Sequence, residues 1–190
     1  MTKPYHWIPN NYLWLVFVGL VLVTVGVAYA LSLQGKPLST DKLPNGILEI
    51  EVPWSTERAT EVVALWERKD LLPVARKQVY YDFLFLVLYP LALSFACAWL
   101  AESAPVKLSM LGVLVSWGVL LASPLDAIEN ITILRMLGGS QAAPVPQIAT
   151  IAAAIKFTLV FGAVGYLGIG GLRALIQLIK ARSLGSRLVL

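Results

Sequence analysis

The sequence predicts an all-α membrane protein, a four-transmembrane-helix bundle with a small extracytoplasmic insertion that contains an amphipathic helix. Hydrophobic residues make up 58% of the 190 residues and charged residues only 14%. The mean hydropathy of +0.75 is far above that of soluble proteins. Four apolar runs each reach the roughly 20 residues that a helix needs to cross a bilayer. Residues 1–190 are therefore expected to form a single membrane domain, with no room for a second one.

The four predicted spans cover about residues 12–33, 79–101, 107–137 and 148–180. The first run could also be a cleaved signal peptide, because Ala28-Tyr29-Ala30 has the small residues of a cleavage site. Its apolar run is longer than such a peptide needs, so we expect a retained helix.

The extracytoplasmic insertion, residues 34–78, is the one extramembrane segment of real size. It opens with turn-forming glycine and proline residues. Apolar and acidic residues then alternate from Ile47 to Val52, and Pro53 closes the run. This alternation predicts a short β-strand.

An amphipathic helix follows in the insertion, with Ser55 or Thr56 as its N-cap and Lys69 near its end. Its single apolar face predicts that it lies on the membrane surface. Pro73 suits the first turn of the next helix, so the second span is expected to begin well before Val79.

The distribution of basic residues predicts the orientation in the membrane. One side has an excess of bases: Lys3, Lys107, Arg173, Lys180, Arg182 and Arg187, opposed only by Glu102. The insertion on the other side carries nearly balanced charges. Because cytoplasmic segments are rich in lysine and arginine, both termini are expected in the cytoplasm and the insertion outside. The net charge of +4 is explained in this way, and we expect no nucleic-acid partner.

Four charged residues interrupt the apolar spans: Asp82, Asp126, Glu129 and Lys156. A charge at membrane depth costs at least ~2.5 kcal/mol unless it is paired or wetted, so such residues are functional candidates. Counted from the outer helix ends, all four lie ~12–17 Å along their helices and should meet in one layer. Asn130 extends Asp126 and Glu129 into one helix face at i, i+3 and i+4. Lys156 is their natural counter-ion.

One lysine cannot neutralise all of these carboxyl groups, so an additional proton, cation or ligand is expected. Arg76, Lys77 or Arg135 could instead compensate by reaching inward. The simplest interpretation is structural: Lys156 bridges carboxylates and locks three helices together. The functional interpretation is an outward-opening pocket with acid, amide, base and tyrosine groups, which binds a lipid or amphipathic ligand or passes protons.

Two prolines lie inside predicted spans. Pro124 releases the carbonyl of Leu120 from helical hydrogen bonding, and Pro90 does the same to Leu86. Such prolines usually shape packing in transmembrane helices. A kink next to ionisable residues also favours a cavity, and the sequence leaves both explanations open.

Other chemistry finds little support in the sequence. His6 is a lone histidine and Cys97 a lone cysteine within an apolar run, so we expect no metal site and no cofactor. A glycine-rich phosphate loop and a serine nucleophile with a histidine are also not recognisable. The sequence therefore gives no support for an ordinary soluble-enzyme class, and whether the protein is an enzyme is left open.

Four sequence elements carry a resemblance to a known group of proteins. They are Gly46-Ile47-Leu48, Glu57-Arg58-Ala59, Tyr81-Asp82-Phe83-Leu84-Phe85 with Tyr89, and Leu125-Asp126-Ala127-Ile128-Glu129-Asn130 through Leu134-Arg135. Together they resemble a group of uncharacterised bacterial four-helix membrane proteins over roughly Gly46 to Leu137. The resemblance implies this architecture and a bacterial inner (plasma) membrane, and it implies no activity.

A looser similarity, to the four-helix sterol-isomerase and sigma-2 type fold, rests on acidic residues that face an intramembrane pocket. The histidine expected for such isomerases has no counterpart in the spans.

Two functions follow as expectations. The first is a nonenzymatic integral membrane component, an accessory subunit of a larger complex, with membrane lipids and a protein as partners. The alternative is a protein or enzyme that holds a lipid-like molecule in an outward-facing acidic pocket, with acid/base chemistry if burial raises a carboxyl pKa. The sequence narrowly favours the first. The residues of the polar network or ligand site are Asp82, Tyr89, Asp126, Glu129, Asn130 and Lys156.

Overall fold

The computed structural model describes residues 4–6 and 8–185, and that part of the chain is all-helical, without a β-strand. The α-helices in chain order are α1 (Asn10–Gly35), α2 (Leu48–Glu51), α3 (Thr56–Glu67), α4 (Leu72–Glu102), α5 (Val106–Val119), α6 (Ala122–Leu137) and α7 (Val145–Gly185). A 3₁₀ turn, Lys36–Leu38, follows α1 directly. The all-α prediction is therefore confirmed.

Four segments are long and apolar enough to cross a membrane: Asn11–Leu38, Leu72–Glu102, Val106–Leu137 and Val145–Gln177. Their number agrees with the sequence prediction. The second segment begins at Leu72 with Pro73 in its first turn, ahead of Val79 as expected. Helix α4 is central, because it packs against α1, α5, α6 and α7.

The third segment is broken into α5 and α6 around Leu120, four residues before Pro124. Pro124 has no N–H to donate to the Leu120 carbonyl, which accepts from the Ser123 N–H at 3.3 Å instead. The break also frees the carbonyl of Ser116, which accepts a hydrogen bond from the Ser94 hydroxyl at 2.7 Å. The chain thus satisfies the backbone groups that the proline disrupts, as apolar surroundings require.

Pro90 in α4 has a comparable effect on the carbonyl of Leu86. That carbonyl accepts a hydrogen bond from the Ser123 hydroxyl of α6 at 2.8 Å. A backbone group released by one helix is therefore satisfied by a side chain of its neighbour. This contact fixes α4 against α6 one turn away from Asp126.

Residues 36–71, which we call the cap, cover one end of the bundle. Within it the predicted strand from Ile47 to Val52 is wrong, because Leu48–Glu51 forms the short helix α2. Ile50 is fully buried there in the main hydrophobic core. A helical turn directs Ile50 into this core and Glu51 towards α7, which a strand would not do.

Helix α3 begins as predicted, since the Ser55 hydroxyl accepts a hydrogen bond from the Arg58 N–H at 3.2 Å. Its expected position on the membrane surface stays a prediction. Its apolar face, which includes the fully buried Trp66, packs on α4 and α6. The Trp66 indole N–H donates to the Leu38 carbonyl at 3.2 Å and holds α3 against the 3₁₀ turn that follows α1.

Near the start of the chain, the ring of Tyr5 lies 4.8 Å from that of Phe95 in α4.

The structure does not describe three of the basic side chains that were used to predict the orientation. Lys3, Arg187 and the side chain of Arg182 lie outside the described part of the structure.

Replacing Ser123 by alanine should lower the free energy of unfolding by about 1 kcal/mol, because the Leu86 carbonyl loses its donor in an apolar environment. Reversible unfolding in mixed detergent micelles measures this. In a Pro90→Ala background, residue 90 regains an N–H that can donate to Leu86, so Ser123→Ala should cost much less. An equal cost in both backgrounds would rule out the hydrogen bond as the cause.

Candidate functional site

A buried lysine stands at the centre of the polar residues within the bundle. The Lys156 ammonium of α7 lies 3.0 Å from Asp126 Oδ1 and 2.8 Å from Glu129 Oε2, both on α6. Lys156 is 6% exposed, Asp126 3% and Glu129 fully buried. The i, i+3 spacing of the two carboxyl groups places both on the α6 face that meets α7.

Two further hydrogen bonds extend this arrangement to α4. The Tyr89 hydroxyl donates to Asp126 Oδ2 at 2.8 Å, and the Asn130 amide donates to Asp82 Oδ2 at 2.8 Å. The structure therefore brings all six residues singled out in the sequence into neighbouring contacts on three helices. We call this set the polar network: Asp82, Tyr89, Asp126, Glu129, Asn130 and Lys156. Its role in binding stays a prediction.

Sequence reasoning missed Glu51, which the cap brings to the same place. Its Oε2 lies 3.9 Å from the Lys156 ammonium. The strand prediction had assigned Glu51 to the charge-balanced insertion. The sequence could have indicated this only if Leu48 to Glu51 had been interpreted as one helical turn instead of a strand. Ile50 is the buried residue of that turn.

The bases proposed as additional counter-ions have other partners or positions. Arg76 donates to the Leu137 carbonyl at the end of α6, at 2.7 Å. The Lys77 ammonium lies over the Tyr81 ring, 5.6 Å from its centroid, and Arg135 is exposed. Among the residues that the structure describes, Lys156 is thus the one cation paired within the polar network.

Four carboxyl groups surround this single lysine: those of Glu51, Asp82, Asp126 and Glu129. Glu129 Oε1 is buried and has no hydrogen-bond partner, although Oε2 of the same carboxylate contacts Lys156. An unpaired buried carboxylate oxygen is costly. The cluster therefore has more acid than its own cation and donors satisfy.

Two carboxyl groups of the cap, outside the long segments, have opposite environments. Burial raises the pKa of Glu51, against the attraction of the Lys156 ammonium. Burial would also raise the pKa of Glu49, but hydrogen bonds from Arg58 at 2.7 Å and Asn45 at 2.9 Å outweigh it and lower that pKa. One turn of helix therefore places a carboxyl group of raised pKa next to Lys156 and one of lowered pKa next to Arg58 and Asn45.

A cavity of about 530 Å³ lies between α1, α4 and α7, with α2 at one end. Its polar end is lined by Glu51, Asp82, Tyr89, Asp126 and Lys156. Glu129 and Asn130 stand behind this lining and hold Lys156 and Asp82 in place.

The rest of this cavity is apolar. Along α1 it is lined by Val21 and Phe17, along α4 by Leu93 and Ala96, and along α7 by Val160. Its volume falls within the roughly 300–1,000 Å³ of small-molecule sites. A cavity that is charged at one end and apolar along its length matches the two parts of an amphipathic molecule.

The described residues contain no group of three histidine, cysteine, aspartate or glutamate side chains placed to hold a metal ion. Cys97 is buried between α4 and α7, with its sulfur 3.9 Å from the Ala163 carbonyl. The polar side-chain groups at the polar end of the cavity are carboxyl, ammonium and phenol groups.

Comparison with protein families, with curated proteins and with solved structures gives no match to this chain. The resemblance carried by the Asp-Phe-Leu-Phe and Asp-x-x-Glu-Asn elements therefore stays a prediction.

Glu51 predicts a pH dependence of stability. Because its folded-state pKa is raised above the ordinary value of 4.5, the stability that its proton contributes is complete below that value. This contribution is lost as the pH rises through the raised pKa, by up to ~1.4 kcal/mol per pH unit. Glu51→Gln removes the loss, so the variant should gain in Tm over wild type as the pH rises from 4.5 towards neutral. Calorimetric melting over this range measures the difference.

Glu49→Gln is the matched control, with the opposite sign. The lowered pKa of Glu49 contributes stability that is present above its ordinary pKa and lost as the pH falls. This variant should therefore melt below wild type at neutral pH. If both substitutions shift Tm in the same direction at neutral pH, the assignment of the two environments is wrong.

Proposed function

We propose that this protein binds an amphipathic, lipid-like molecule, with its polar head against the polar network and its tail in the apolar part of the cavity. The observation that carries the proposal is the lining of the cavity, with Glu51, Asp82, Asp126 and Lys156 at one end and apolar side chains along the rest. A purely structural network would need no space beside it. The proposal assigns no reaction to the bound molecule.

Charge complementarity favours a basic head. Lys156 already contacts Asp126 and Glu129, whereas Asp82 receives only the Asn130 amide among the described residues. An ammonium group beside Asp82 would balance the surplus of acid, and its ion pair with the carboxylate would offset part of the cost of leaving water. A phosphate or carboxylate head would be repelled by the same carboxyl groups.

Aromatic rings strengthen this assignment. The rings of Phe85, Tyr89 and Phe157 line the cavity close to its polar end. Ring faces attract ammonium groups, most strongly where water is excluded. Phe157 already lies in this relation to the Lys156 ammonium, which is 4.7 Å from its centroid.

We further propose residence in a bacterial inner membrane, with both termini in the cytoplasm and the cap outside. The excess of bases near Lys107 and Arg173 supports this orientation. In the cap, by contrast, Arg58 is neutralised by ion pairs with Glu49 at 2.7 Å and Glu61 at 2.6 Å. The polar end of the cavity would then lie in the outer half of the bilayer.

A second candidate function, a nonenzymatic component or accessory subunit of a membrane complex, is favoured by Trp54 of the cap. This residue is 68% exposed and has a φ of 58°, which bulky residues rarely adopt. Its backbone N–H donates to the buried Thr150 hydroxyl at 3.1 Å. A tryptophan held outward at some conformational cost suits contact with a protein partner, since tryptophan is enriched at binding hot spots.

Substituting Asp82→Asn tests the proposed ligand site. The asparagine can still accept from Asn130, but it cannot pair with an ammonium group. We expect binding of radiolabelled tetradecylamine to the detergent-solubilised protein, measured by scintillation proximity, to weaken about tenfold or more. Unlabelled tetradecyl phosphate should compete much less well than unlabelled tetradecylamine.

Asp70→Asn is the matched control. Asp70 is exposed in the cap with a φ of 55°, a conformation that asparagine tolerates. It should bind the amine as wild type does. Equal affinity of Asp82→Asn and wild type, or equal competition by the phosphate, would refute a basic head at Asp82.

A further inference from the structure

A second cavity, of about 480 Å³, lies along the same side of the bundle towards the other end of α4. It is lined by Trp99 and Ser103 near the end of α4 and by Gly171 of α7. Phe17 of α1 and Ala96 of α4 line both cavities. The two spaces are therefore consecutive parts of one groove, and we call them the outer and the inner cavity.

At the junction between the two cavities, the Phe17 ring is held in place on one side and the small side chain of Ala96 lies on the other. The Phe17 ring stacks on Phe95 at a centroid distance of 5.5 Å and meets Trp99 edge-on at 5.2 Å. These contacts hold the Phe17 ring on the surface of α4. Ala96 projects only a methyl group, which leaves room for a chain to pass.

The length of the groove exceeds what a lipid of one leaflet requires. From Tyr89, at the polar network, to Ala96 the helix rises ~10 Å, and to Glu102 it rises ~20 Å. Half of the hydrocarbon thickness is only ~15 Å. A tail that began at the polar network and filled both cavities would cross the middle of the bilayer.

We infer that the tail of the bound molecule passes Phe17 and Ala96 and occupies both cavities. The ligand is then a long-chain amphiphile whose tail extends beyond one leaflet. This inference rests on the proposed function, since it requires the head at the polar network. It adds the length and the path of the tail.

The path of the tail must be tested by locating the tail end, because binding affinity does not report how long a stretch of the groove is occupied. Lipid tails are as apolar as the side chains of the groove, so each added methylene gains little in a bilayer. The inner cavity can be filled without disturbing the bundle. A Cβ built at Gly171 meets no atom within 4 Å, and Gly171 borders the open inner cavity, so Gly171→Leu should fold normally.

Gly168→Leu is the matched control. Gly168 also has no neighbour within 4 Å of a side-chain position, and it lines neither cavity. Both substitutions replace a helical glycine by the same good helix former. They differ in whether the leucine enters the groove.

The experiment uses the full-length protein in zwitterionic-lipid nanodiscs with octylamine or octadecylamine, each carrying a diazirine at the tail end. After photolysis, the labelled peptides are identified by mass spectrometry. We expect octadecylamine to label α4 between Trp99 and Ser103 or α7 near Gly171, and octylamine to label the outer cavity. Gly171→Leu should reduce the inner label about tenfold because the leucine occupies space that the tail would fill, whereas Gly168→Leu should retain it.

Three results would contradict parts of this account. Inner-cavity labelling that is equal in Gly171→Leu and Gly168→Leu would overturn the path of the tail. Labelling of the outer cavity alone by both amines would overturn its length while leaving the proposed function standing. Labelling of neither cavity above that of the exposed Leu22 and Leu114 would overturn the proposed function as well.

Discussion

The ion pairs of Lys156 with Asp126 and Glu129 are the constraint on which the rest of the structure depends. The lysine is 6% exposed and lies 3.0 Å and 2.8 Å from the two carboxylates. Removing one partner of such a buried pair costs roughly 3–5 kcal/mol, because the other charge is left uncompensated. The pairs therefore fix the register of α6 against α7. Tyr89 transmits this register to α4 through its hydrogen bond to Asp126.

The same constraint explains why a cavity accompanies the network. With Asp126 and Glu129 turned towards α7, Asp82 is left at the edge of the cluster with the Asn130 amide as its hydrogen-bond donor. Glu51 then adds another carboxyl group from the cap, 3.9 Å from the lysine. The ion pairs serve the fold, and the surplus of acid at the cavity is what we assign to a ligand.

The sequence was informative where helix geometry alone decides the outcome. A rise of ~1.5 Å per residue and the i, i+3, i+4 spacing were sufficient to bring Asp82, Asp126 and Lys156 to one depth. The turn Leu48 to Glu51 was mispredicted because so short a run fits a strand as well as a helix. Packing of Ile50 into the bundle decides between them, and a lone sequence does not contain that contact. For the same reason, the freed Leu86 carbonyl was predictable and its donor was not.

The central claim is that a small amphipathic molecule occupies the cavity. Native mass spectrometry of the protein, extracted gently from its own membrane, tests it most directly when wild type is compared with Asp82→Asn and Asp70→Asn. The account predicts a retained small mass, with the fragmentation of a basic long-chain amphiphile, on wild type and Asp70→Asn and its loss from Asp82→Asn. A protein partner retained without any small mass, in all three proteins, would contradict the account and favour the accessory-subunit function.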